Sequence, residues 1–270
     1  NNTSHHKIWD IINTFHHKVW DIIVCLFNPI QERFSMNSPF RQSEVFNLGI
    51  CGARTGDIIR RELPEALSLG GEVFLLLAGT NDMLGDAGHG VSPEEYESNM
   101  RYLISALSAA GRVMVLTIPP VAEEREYQLQ PAEKWTETPT ERIALGNAVI
   151  ERLEKELQLP VCDVHRIFSR FDLDSFDSPL RNPANSGAVD SVHPTAEGYR
   201  MMARALYRRF QEFDWHPRRV VCLGDSITCG AYMEGQGSAM GETYPAFLKQ
   251  LLDGDAPAAV HFASQDWRIE

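Results

Sequence analysis

The chain's pattern predicts an α/β fold: a parallel sheet with helices on both faces, three layers in all. Three observations carry that expectation. Short apolar runs recur along the chain and end in turns that bear Gly or Asn. Capped helical stretches lie between them. One run, Val73 to Ala78, is apolar at every position, as a strand covered on both faces must be. Strands alternating with helices build parallel sheets, because each helix returns the chain to the same edge.

Each element has its own reason. Val45 to Leu48 is a short strand running into Gly49-Ile50-Cys51-Gly52. Thr55 or Gly56 opens a helix to about Leu67, with an interruption expected at Pro64, which has no N–H to donate. The Val73 strand ends in Gly79-Thr80-Asn81-Asp82. Ser92-Pro93-Glu94-Glu95 supplies a cap, a first-turn proline and acidic residues, and the helix it starts runs to about Ala110, where Gly111 stops it. Val113 to Ile118 is a strand ended by Pro119-Pro120, and residues 121–137 read as a charged loop. Thr138-Pro139-Thr140-Glu141 opens a helix to about Gln158, and Val161 to Val164 is a further strand. Residues 169–189 form a long polar loop, and Pro194 to about Phe213 is a long helix. Val220-Val221-Cys222-Leu223 is the last strand, followed by a polar turn between Gly224 and Gly230 and a helix from Tyr244 to Leu252.

Composition bounds the function. The 270 residues are 43% hydrophobic and 23% charged, which fits a sizeable core rather than disorder. A net charge of -12 argues against nucleic acid as a partner. The five cysteines, Cys25, Cys51, Cys162, Cys222 and Cys229, are odd in number and lack CxxC spacing, so neither a disulfide framework nor a metal site is expected. No stretch of about 18 apolar residues exists. No signal peptide is read at the amino terminus, and a cytoplasmic location is the mild expectation.

Two parts are expected: a helical extension and linker over residues 1–43 and a catalytic-type domain over 44–270. In the extension, His5-His6-Lys7-Ile8-Trp9-Asp10 returns as His16-His17-Lys18-Val19-Trp20-Asp21 after about three helical turns. The stripe of Ile8, Ile11, Ile12, Phe15, Val19 and Ile22 has to be buried on the domain, on a second copy or on a membrane surface. The polar face is not basic enough to favour the membrane. The paired histidines lack an evident third ligand and second-shell partners, so metal is not favoured there either.

The chemistry lies in four blocks. Ser226 stands at the carboxyl end of its strand, where α/β sheets place reacting groups. A serine hydroxyl needs an adjacent base. His193 is that base, and Asp190, three residues earlier, orients and charge-balances the imidazole. Gly52 allows close approach of a backbone N–H, and the Asn81 amide is a second donor for an oxyanion. Each block alone is also ordinary turn or capping chemistry; the set of four is not.

Gly224-Asp225-Ser226-Ile227-Thr228, Asn47-Leu48-Gly49-Ile50-Cys51-Gly52, Gly79-Thr80-Asn81-Asp82 and Asp190-Ser191-Val192-His193-Pro194 together resemble the four blocks of the GDSL, or SGNH, hydrolase family. The resemblance covers roughly residues 44–270. It implies a flavodoxin-like sheet and ester hydrolysis through an acyl-enzyme, without metal or cofactor. It further implies that Ser226 is nucleophile and oxyanion donor, Gly52 and Asn81 the other donors, and His193 and Asp190 the base pair. The family's serine block opens its domain, whereas here it closes it. The chain therefore reads as a circular permutation, with Asp266-Trp267-Arg268-Ile269-Glu270 approaching an edge strand that Glu44-Val45-Phe46-Asn47 continues. A window of a tandem, domain-swapped array and a gene-model artefact are competing accounts. The leading expectation is an esterase for small or carbohydrate-borne acyl esters. A non-catalytic binding or assembly module, oligomerising through the amino-terminal helix, is the alternative.

Overall fold

Among the described residues, five strands form one sheet in which every pairing is parallel. The structure, a computed structural model, describes residues 42–254 other than Asp86 and Gly88. The repeat at residues 5–27, its linker up to residue 41 and the tail at 266–270 lie outside the described residues. In chain order the strands are β1 (Glu44–Asn47), β2 (Val73–Leu77), β3 (Arg112–Leu116), β4 (Val161–Cys162) and β5 (Arg219–Gly224). Across the sheet the order is β1-β5-β2-β3-β4, so the last strand in the chain fills the slot between the first two.

Strand periodicity divides the core. Along β2, Phe74 and Leu76 enter one apolar cluster while Val73, Leu75 and Leu77 enter the other. The first cluster is closed by three helical segments: α1 (residues 55–69), α3 (Pro93–Ser108) and α5 (Pro139–Leu157). The second is closed chiefly by α7 (Ala196–Glu212) and α9 (Tyr244–Asp253), which present Tyr199, Leu206, Tyr244 and Leu248. Each Leu or Phe so buried contributes roughly 1.5–3 kcal/mol. The expected three-layer α/β/α architecture is therefore present.

Several boundaries differ from expectation. Helix α1 is not interrupted at Pro64. It runs as Thr55–Asp57, a π-helical turn Ile58–Glu62 and Leu63–Leu69. In the π turn the Leu63 N–H reaches back to the Ile58 carbonyl, and Pro64 is the second residue of the next piece, in its first turn, where a missing N–H does least harm. The charged loop at 121–137 contains a helix, α4 (Glu123–Leu129), and the strand at 161–164 is only Val161–Cys162, followed by the short helix α6 (Val164–Phe168). Helix α7 starts at Ala196, capped by the Thr195 hydroxyl, not at Pro194. Pro194 instead pairs with Leu180 in an isolated antiparallel bridge. Single-turn helices α2 (Thr80–Leu84) and α8 (Ser226–Cys229) occupy what read as turns.

This arrangement positions a site. Helix α9 after β5 packs on one face of the sheet, and α3 after β2 packs on the other. The carboxyl ends of β5 and β2 thus border the crevice that open α/β sheets use for ligands.

Candidate active site

The serine turn is shaped by close packing. Gly224, the last residue of β5, has φ +155°, and a Cβ there would lie 2.1 Å from the Leu77 carbonyl oxygen. Only glycine fits, and the chain turns sharply into α8. Asp225 caps that helix by accepting the Ile227 N–H at 2.9 Å, which leaves Ser226 as its first residue.

Three sequence-predicted residues meet here within one chain. His193 Nε2 lies 2.9 Å from Ser226 Oγ. The other ring nitrogen, Nδ1, lies 3.0 and 3.1 Å from the two Asp190 carboxylate oxygens. The network assigns the proton to Nδ1, which donates to Asp190, so that Nε2 accepts from the serine hydroxyl. Asp190 Oδ1 also accepts the backbone N–H groups of Val192 at 3.1 Å and His193 at 3.0 Å. Burial opposes ionisation of Asp190, but the His193 ring and these backbone donors outweigh it and hold the carboxyl below its usual range.

The loop is braced by residues that sequence reading missed. Arg181 places a guanidinium nitrogen 3.6 Å from Asp190 Oδ2, and its own N–H donates to the His193 carbonyl at 2.9 Å. From α4, the Arg125 Nε–H donates to the Asp190 carbonyl at 2.5 Å, and Glu126 accepts the Ser191 hydroxyl at 2.5 Å. Both side chains are buried, although residues 121–137 read as a charged loop. The Leu180–Pro194 bridge could not be read either, because it joins two stretches that lack strand patterning.

Gly52 and Asn81 stand on neighbouring loops. The Ile50 N–H donates to the Gly224 carbonyl at 3.0 Å, which ties the loop after β1 to the serine turn. One N–H of the Asn81 amide donates to the Ala53 carbonyl at 3.0 Å, which ties the same loop to the start of α2. Asp82 adds to the join by accepting both the N–H and the hydroxyl of Thr55. Gly52 itself has φ +77° and open space where a Cβ would stand.

A second buried carboxyl pair lies beneath the serine. Glu62, in the π turn of α1, is 1% exposed and accepts the Gly224 N–H at 2.8 Å through Oε2. Burial pushes its carboxyl up to about 8, against the Gly224 hydrogen bond, with the nearby Asp225 adding to the rise. Burial likewise raises Asp225 to about 6.

Comparison with known proteins gives the family. Residues 28–201 match the GDSL-like Lipase/Acylhydrolase family, a stretch that holds Gly52, Asn81, Asp190 and His193 and stops short of Ser226. The chain is 24% identical over 189 residues to the "GDSL esterase/lipase CPRD49" of Arabidopsis thaliana, covering 66% of this chain and 70% of that protein. It is 24% identical over 194 residues to the "GDSL esterase/lipase WDL1" of Oryza sativa subsp. japonica, covering 66% and 69%. A crystal structure of an acetyl xylan esterase superposes with a TM-score of 0.51 at 20% identity, over 67% of this chain and 88% of that one, and so shares the fold. Among the described residues no helix is long and apolar enough to cross a membrane. The match over most of the chain places it in the GDSL-like lipase/acylhydrolase family, as a serine hydrolase that acts on ester bonds.

Proposed function

We propose that this enzyme cleaves small or carbohydrate-borne acyl esters through an acyl-enzyme on Ser226. The observation that carries this reading is the unbroken line Asp190–His193–Ser226 within one chain. Ser226 Oγ attacks the ester carbonyl carbon while its proton passes to His193 Nε2. Asp190 stays ionised and stabilises the imidazolium. The oxyanion is met by the N–H groups of Ser226 and Gly52 and by the Asn81 amide. His193 then returns the proton to the leaving alkoxide oxygen as the carbon–oxygen bond breaks. In the second half a water gives its proton to His193 as its oxygen attacks the acyl carbon, and His193 returns that proton to Ser226 Oγ as the acyl–oxygen bond breaks and the acid leaves. Acetyl esters on polysaccharide come first in a substrate screen, because the structural neighbour is named an acetyl xylan esterase.

The same reading includes a circular permutation. Numbered from the serine strand, the sheet order β1-β5-β2-β3-β4 becomes the 2-1-3-4-5 order of flavodoxin-like sheets. The Ser43 N–H, one residue before β1, donates to Asp253 Oδ1 at the end of α9 at 2.5 Å. A serine-first order, α9 leading into β1, therefore needs only a short join. The short His193–Ser226 distance supports a site completed by one chain over an array that exchanges its serine block. Fluorophosphonate labelling of the size-fractionated monomer tests both points, with Ser226→Ala as control. Labelling of the monomer at Ser226 is the expected result. Labelling only in a dimer fraction sinks the single-chain site, and no labelling in any fraction sinks the esterase assignment to Ser226.

A further inference from the structure

Tyr232 is the large side chain beside the site that the catalytic account leaves unused. It lies in the loop between α8 and α9, and its ring is 65% exposed. The ring stands against His193 with centroids 5.1 Å apart and planes at 88°. The Arg181 guanidinium carbon lies 4.4 Å from the Tyr232 ring centroid, while the same guanidinium approaches Asp190 at 3.6 Å. Tyr232 also has φ +68°, a backbone conformation that bulky L-residues rarely adopt. Its N–H donates to the Gln236 side chain at 3.1 Å, which helps to hold that conformation. Strain of this kind persists only where surrounding contacts over-determine it, and it gathers at functional sites. Here it holds an apolar ring in solvent beside the reacting base.

We infer that Tyr232, backed by Arg181, is the wall of the leaving-group subsite and selects alcohols that carry a ring. The inference rests on the esterase reading above. In that chemistry His193 hands its proton to the departing alcohol oxygen. A side chain packed against the imidazole and open to solvent therefore borders the alcohol rather than the acyl chain. Arg181 covers part of the tyrosine ring and fixes its plane, so an incoming ring finds a preorganised surface. A sugar ring or an arene can lie along such a surface, whereas methanol is too small to cover it.

The test holds the acyl group constant and varies the alcohol. kcat and KM are measured for methyl acetate, phenyl acetate and a mono-acetylated methyl pyranoside with the wild type, Tyr232→Ala and Tyr232→Phe. Tyr232→Ala is expected to lose roughly ten-fold or more in kcat/KM on the ring-bearing esters relative to its loss on methyl acetate, chiefly through KM. Tyr232→Phe, which keeps the ring and its packing, is expected to restore the wild-type preference. A preference lost only for phenyl acetate assigns the subsite to aromatic alcohols, and one lost only for the pyranoside assigns it to sugars. Equal losses on all three esters, with Ser226 still labelled by fluorophosphonate, overturn the subsite alone. Absence of both hydrolysis and Ser226 labelling in the wild type overturns the esterase reading and this inference with it.

Discussion

Two buried carboxyl regions flank Ser226, and their acidities are shifted in opposite directions. Asp190 takes a ring nitrogen and two backbone N–H groups, with the Arg181 guanidinium alongside. Its charge is kept, below the usual carboxylate range. Asp225 and Glu62 are at least as buried, yet each has one backbone donor, Ile227 N–H for the first and Gly224 N–H for the second. Burial wins there, raising Asp225 to about 6 and Glu62 to about 8. The difference follows from donors and depth together: Asp190 has the His193 ring and two backbone N–H groups, while Asp225 and Glu62 are buried more deeply. Asp190, held below the usual range, stands behind His193, and the raised pair underpins the turn that carries Ser226.

Substitution can break this contrast. Asp190→Asn removes the charge and favours the wrong imidazole tautomer, so kcat is expected to fall on the order of 10⁴-fold, measured by steady-state hydrolysis of an acetate ester. If Asn81 is the proposed oxyanion donor, Asn81→Ala is expected to lower kcat about 10²- to 10³-fold; an unchanged kcat would remove Asn81 from the site. Asp225→Asn swaps one good helix cap for another, so its cost in thermal or urea unfolding is expected to stay near or below about 1 kcal/mol. If Asp225→Asn instead matched Asp190→Asn in kcat, the two regions would not differ as described.

The pH dependence of stability sharpens the contrast. Glu62 ordinarily titrates near 4.5 and in the folded protein near 8, so between those values the folded state binds more protons than the unfolded chain. Its contribution to stability is complete below pH 4.5 and is lost as pH rises toward 8. Asp190 runs the other way: its contribution is present above 3.8 and is lost as pH falls through its depressed folded value. Urea unfolding from pH 5 to 8 is therefore expected to show a declining component on the order of a few kcal/mol that Glu62→Gln removes. A slope that persists in Glu62→Gln would place its source elsewhere.

Some of this was legible from residues alone. Val73 to Leu77 could be read because every side chain meets a core on one face or the other. The helices at 93–108 and 139–157 could be read from caps that act locally, the Ser92 and Thr138 hydroxyls each accepting an N–H three residues on. Helix α4 could not. Its buried members include Arg125 and Glu126, whose partners Asp190 and Ser191 lie 65 residues away, so no apolar stripe marks it. The helix at 55–69 was legible as a helix but not in its π turn, which depends on how the segment passes Pro64 and seats Glu62 under Gly224.

The amino-acid sequence by itself determined the alternation of strands and helices and the residue types of the four blocks, because periodicity, caps and turn chemistry act over a few residues. Tertiary structure alone decided three other things. It set β5 between β1 and β2, placed Tyr232 against His193 with Arg181 over its ring, and separated a lowered Asp190 from the raised Asp225 and Glu62. Each of these depends on groups far apart in the chain whose desolvation and hydrogen bonding exist only once the sheet has brought them together.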